Sequence, residues 1–148
     1  MNLFDSLAIS GSALLAERER SEIIATNMAN AETTHTEAGG PYRRREVVFV
    51  SPGASSFRLA LATSSQLRGP TPGSVQISEV VDDPSPAIMR YQPGHPDANS
   101  QGYVAYPAVN PAAEMVDLMG SVRAYELNAS AVAAAKQMIQ QTIDILKS

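Results

Sequence analysis

All ten prolines of this 148-residue chain fall between Pro41 and Pro111, and seven of its nine glycines fall between Gly39 and Gly102. Proline removes a backbone donor and clashes with the preceding helical turn, so the two arms outside that interval can be long helices and the interval cannot. The pattern predicts a mainly α chain with a small β-rich centre. It has an N-terminal helix in residues 1–35, a Pro/Gly-rich β-containing region in 36–109 and a C-terminal helix in 110–148, the two helices pairing as a coiled coil around an irregular β module.

The C-terminal arm carries the clearest period. Asn110-Pro111 supplies a capping side chain followed by a proline at the first helical position, and Glu114 and Asp117 put negative charge near the positive helix end. Steps of three and four from Met115 visit Leu118, Val122, Tyr125, Ala129, Val132, Lys136, Ile139, Ile143 and Leu146, with only Lys136 breaking the apolar stripe. This is a seam of about five heptads. Ala124, Ala131, Ala133, Ala134 and Ala135 favour helix and keep the adjoining surface small enough for a second helix to approach closely.

The same stepping in the N-terminal arm visits Leu3, Leu7, Ser10, Leu14, Glu17, Ser21, Ile24, Met28 and Ala31, so its middle is polar where a two-stranded seam is apolar. Such a helix is marginal alone. The arms therefore read as segments that become fully ordered when copies pack together. Asn27 and Asn30 share one helix side at i and i+3, beside Ile23, Ile24 and Met28. Two readings of them stand together: a helix C-terminus, which asparagine tolerates, and a polar patch that sets the register of a helical interface.

The centre offers short β-like runs at Glu46 to Val50, Phe57 to Ala62, Val75 to Val81, Ala87 to Tyr91 and Tyr103 to Tyr106, separated by turn-forming segments. With three phenylalanines and no tryptophan, its core is modest and its surfaces lean on neighbours.

The chemistry-bearing residues point away from an enzyme. His35 and His95 lie in loops with no second histidine or cysteine at metal-ligand spacing. Asp82-Asp83-Pro84 reads as an acidic turn rather than a cation site, and there is no phosphate-cradling glycine loop or nucleophile elbow. No cofactor, metal or catalytic residue is expected. A formal charge of -4 and a pI near 5.1 argue against nucleic acid as the main partner, and the basic run Arg43-Arg44-Arg45 reads as a solvated turn. No run of about 18 apolar residues predicts membrane insertion. The stretch MNLFDSLAIS lacks a leading lysine or arginine and carries Asp5 inside its apolar part, so it does not read as a cleaved signal.

Several motifs carry a resemblance. Ile9 to Leu14 (ISGSAL), Ala25 to Thr34 (ATNMANAETT) and Gly39 to Arg44 (GGPYRR) resemble the N-terminal signature of bacterial flagellar axial proteins of the rod and hook family, the proximal-rod members in particular. Pro96 to Asn99, Gly102-Tyr103-Val104, Tyr106-Pro107, Val109-Asn110, Glu114-Met115-Val116, Arg123 to Glu126 and Lys136-Gln137-Met138 are similar to that family in order and spacing. Both arms and the edges of the centre are covered, and Val50 to Ala87 is not. Glu37-Ala38 departs from the proline usual before the double glycine, and Leu127 from a small residue.

The resemblance implies a structural subunit of the proximal rod in the flagellar basal body. It would self-assemble through its terminal helices into a hollow, periplasm-spanning axial structure that transmits torque and surrounds the export channel. The implied partners are copies of itself, other rod proteins, the flagellar type III export apparatus, through which it would leave without a cleaved signal, and proteins at the MS-ring/rod junction. The assembly interface expected from seam and resemblance together comprises Leu3, Leu7, Leu14, Ile24, Asn27, Met28, Asn30, Met115, Leu118, Val122, Tyr125, Val132, Ile139, Ile143 and Leu146. The alternative is a freestanding cytoplasmic coiled-coil adaptor; another rod subunit is the rival within the family, against which the Gly39 to Arg44 loop argues.

Overall fold

The computed structural model describes residues 3–51 and 73–147. Two long helices flank four short strands: α1 (Leu3–Ala29), β1 (Arg45–Val50), β2 (Gln76–Asp82), β3 (Ile88–Tyr91), β4 (Tyr103–Tyr106) and α2 (Pro111–Lys147). The fold is mainly helical with a small β centre, as the proline distribution predicts. Four of the five β-like runs coincide with strands to within a residue or so; Phe57 to Ala62 lies outside the described residues. No helix of the described residues is long and apolar enough to cross a membrane.

The ends of both helices follow from local chemistry. Asn110 Oδ1 accepts from Ala112 N at 3.0 Å and Ala113 N at 3.4 Å, which satisfies amides that have no partner inside the helix. At the end of α1, Asn30 Nδ2 donates to Thr26 O at 2.9 Å while its Oδ1 accepts from Thr33 Oγ1 at 3.1 Å. The side chain thus closes the last turn and starts the loop.

Strands pair in twos, β1 with β2 and β3 with β4. In the second pair Ile88 stands opposite Tyr106 and Tyr91 opposite Tyr103, antiparallel. Alternation along β4 buries Val104 and Tyr106 and leaves Tyr103 outside. Gly102 has φ +79, and a Cβ there would stand 2.9 Å from Tyr91 Cε2; only glycine fits that hairpin.

Compact packing divides the chain into two units. One comprises Met1–Glu19, Phe49–Ser78 and Val122–Ser148; the other comprises Arg20–Val48 and Glu79–Ser121. In the first, Ala16 and Ala135 are buried, and Ser12 Oγ donates to Ile9 O at 2.7 Å while accepting from Val75 N at 3.0 Å. The second buries Ile24, Tyr42, Val104, Tyr106 and Val109 together with the polar side chains Asn27, Glu114 and Ser121.

Candidate assembly interface

Within the second unit the two helices run antiparallel. Ser21 Oγ lies 2.9 Å from Ser121 Oγ, and Asn27 Nδ2 donates to Glu114 Oε2 at 3.1 Å. Advancing along α1 thus retreats along α2. Serine at both positions keeps the side chains small enough for hydroxyls to touch across the contact.

Asn27, 1% exposed, uses its whole amide. Its Oδ1 accepts from Tyr42 Oη and from Arg45 N, each at 2.9 Å, and its Nδ2 donates to Arg45 O at 2.9 Å as well as to Glu114. One side chain ties α1, the first strand and α2 together. The structure separates the two asparagines of the sequence motif: Asn30 ends the helix, and Asn27 is a buried crosspiece of the fold. Burial pushes the Tyr42 phenol above its usual value, with lesser effects from Arg45, Asp82 and Glu114, so it remains the donor to Asn27.

Glu114 is also 1% exposed. Its Oε1 accepts from Arg44 Nε at 2.5 Å, and Arg44 reaches Glu46 and, at 3.7 Å, Asp117. Burial works against the Arg44 charge, but the hydrogen bond and charge of Glu114, with those of Glu46, outweigh it and hold the guanidinium above its ordinary pKa. The sequence alone presents Glu114 as a helix-end charge and Arg44 as part of a solvated turn. Their pairing is illegible there because the partners lie 70 residues apart in sequence.

The predicted interface positions divide sharply. In α1, Ile24 and Asn27 are buried, while Leu3, Leu7, Leu14, Met28 and Asn30 are half-buried. In α2, Leu118, Val132 and Ile139 are half-buried, whereas Met115, Val122, Tyr125, Ile143 and Leu146 are exposed. The buried line runs through Glu114, Ser121 and Ala135, one residue off the stepped seam at Met115, Val122 and Lys136. A one-residue offset turns a helix by about 100°, so Glu114 and Ser121 face inward while Met115 and Val122 face out. Val116, Met119, Leu127, Met138 and Ile145, which the heptad steps do not visit, are exposed as well.

Among the described residues no group of three or more His, Cys, Asp or Glu side chains could hold a metal ion. Asp83 Oδ1 accepts from Ser85 N at 2.8 Å, an Asx turn, and its hydrogen bonds with Ser85 hold its carboxyl below the usual range. His95 Nδ1 accepts from Asp97 N at 3.1 Å, and His35 is exposed.

A buried polar brace joins the two helices of this unit, and α2 leaves large apolar side chains exposed. Residues 100–145, from the β3–β4 loop through most of α2, match the family described as flagellar basal body rod FlgEFG protein C-terminal. A flagellar basal-body rod protein FlgC of Bacillus subtilis is 40% identical over 99% of this chain and 100% of its own length. The FlgC proteins of Borreliella burgdorferi and Escherichia coli O157:H7 are 34% and 33% identical, covering 99% and 98% of this chain and 99% and 96% of their own. The chain belongs to the FlgC family of flagellar basal-body rod proteins. That membership gives no support to the freestanding adaptor.

Proposed function

We propose that this chain is a non-enzymatic structural subunit that enters the flagellar rod by covering the exposed apolar side chains of α2. The observation that carries the reading is the exposure of Val116, Met119, Val122, Tyr125, Leu127, Met138, Ile143, Ile145 and Leu146 along one helix. Apolar side chains in such number are stabilised when another surface removes them from water, at about 25 cal/mol per Å² buried. Coiled-coil packing of the terminal helices with copies of the chain and with other rod proteins would supply that surface. The assembly would form a hollow shaft around the export channel that transmits torque. The remaining partners in this reading are the type III export apparatus, which passes the chain without a cleaved signal, and proteins of the MS-ring/rod junction.

Replacing Val122 and Leu127 together by aspartate tests it. Both residues are exposed in the chain, so the purified variant keeps its far-UV circular dichroism. Cells relying on it lose swimming, and the protein is missing from isolated basal bodies. A double variant that supports swimming overturns the reading.

A further inference from the structure

Two surfaces of this chain set opposite charges, Arg123 on one and Glu79 on the other, among exposed apolar side chains. The first is on α2. Val116, Met119, Gly120, Arg123 and Leu127 recur at i, i+3, i+4, i+7 and i+11, one face of a helix. Val116, Met119 and Leu127 are 68%, 62% and 67% exposed. Arg123 is exposed and has no ionic partner among the described residues. A Cβ on Gly120 would meet nothing within 4 Å, although glycine inside a helix is unfavourable relative to alanine. The missing side chain leaves a notch in this face of α2.

The second surface is the β1–β2 ribbon. Asp83 N donates to Arg44 O at 2.7 Å and Arg45 Nε lies 3.8 Å from Asp82 Oδ1, so the strands are paired from that end in antiparallel sense. The period of two then gathers Glu46, Val48, Glu79 and Val81 on one face. Val48 and Val81 are exposed. Glu46 is engaged by Arg44, while Glu79 is exposed and has no ionic partner among the described residues.

We propose that this ribbon face on one copy seats on the Arg123-centred face of α2 on a second copy, with Glu79 meeting Arg123 over the notch at Gly120. The contact rests on the assembly reading above and specifies one of its interfaces. Charge selects this pairing: α2 against itself across a two-fold axis brings Arg123 toward Arg123, and ribbon against ribbon brings Glu79 toward Glu79. A carboxylate against a guanidinium, screened from water by valine, methionine and leucine, favours the mixed pair and suppresses both symmetric ones. Because the two faces differ, the contact is head-to-tail and propagates from copy to copy.

The chain has no cysteine, so introduced thiols report the contact without background. Val48→Cys and Met119→Cys copies, distinguished by a size tag, are mixed as concentrated full-length protein and also co-produced in cells whose basal bodies are isolated. A mixed disulfide dimer is expected, with little of either homodimer. In that background Glu79→Arg on the first copy, or Arg123→Glu on the second, removes most of the mixed dimer, and both together restore it. Dominant homodimers, a yield indifferent to the single reversals, or failure of the paired reversal to restore it would each overturn the contact. Presence of the unmodified chain in basal bodies is scored separately. If it is present without the mixed dimer, the contact alone fails; if it is absent, the rod reading fails while the purified protein still decides the contact.

Discussion

Asn27, near the end of α1, and Glu114, in the first turn of α2, are 87 residues apart in sequence and joined by a buried 3.1 Å hydrogen bond. The amide suits this place because it both donates and accepts. An aspartate at this position keeps the acceptors for Tyr42 and Arg45 N but turns an acceptor toward Glu114 and Arg45 O, so Asn27→Asp destabilises more than Asn27→Ala. The alanine variant costs about 2–4 kcal/mol, the size expected for buried groups left unpaired. Urea denaturation of the purified chain measures both. Adding Glu114→Gln to Asn27→Asp recovers part of the loss by restoring a donor, and no recovery would mean that the repulsion is relieved in another way.

Half-buried Arg44 and buried Glu114 form an ion pair, and removing one partner of such a pair leaves the other charge uncompensated. Arg44→Met or Glu114→Met alone is expected to cost about 3 kcal/mol or more, with the double variant less unstable than the sum by about 1–3 kcal/mol. A double-mutant cycle in thermal unfolding reads the coupling. Additive losses would show that Glu46 and Asp117 already satisfy Arg44.

Tyr42→Phe removes one of two donors to Asn27 Oδ1 and costs about 1 kcal/mol. The phenol's folded pKa is raised above the ordinary 10.0, chiefly by burial. Its contribution is therefore fully present below pH 10 and lost as pH rises through the folded value, since the folded state binds the proton more tightly. Stability of the parent chain is expected to fall more steeply than that of Tyr42→Phe above pH 10; parallel alkaline curves would remove the phenol from the account.

Two glycines give opposite outcomes. Gly102→Ala places a Cβ against Tyr91 at φ +79 and lowers stability by more than about 1 kcal/mol. Gly11 lies within α1 with nothing near its missing Cβ, so Gly11→Ala raises helix stability by roughly 0.5–1 kcal/mol. Melting temperatures of the two variants, measured side by side, check the signs.

In the free chain, amides in the last turns of α2 are expected to exchange fastest among the helical residues. Gln140 to Leu146 are exposed throughout, whereas the first turns are held by Asn110, Asn27 and Arg44. Hydrogen exchange resolved along α2 should show protection declining toward the C-terminus, and uniform protection would contradict this.

Some of this was determined by the sequence alone. Proline and glycine placement marked where helices could run, Asn110-Pro111 marked where the second begins, and the Asn27 and Asn30 pair offered an end for the first as one of two readings. Each is decided by atoms within a turn of one another, so local sequence carries the information. The family motifs likewise lie in order along the chain and needed no structure to be read.

Only the tertiary structure decided which side of α2 faces the rest of its own chain. Periodicity records that apolar residues recur, but not which molecule covers them. Close helix contact at Ser21 and Ser121 and the need of Arg44 and Asn27 for partners turn Glu114 and Ser121 inward, leaving Val122 and Leu127 outside. Those partners are distant in sequence, and charge burial is tolerated only where several of them meet. Of the apolar stripe expected to form the assembly seam, Met115, Val122, Tyr125, Ile143 and Leu146 are exposed while Leu118, Val132 and Ile139 are half-buried.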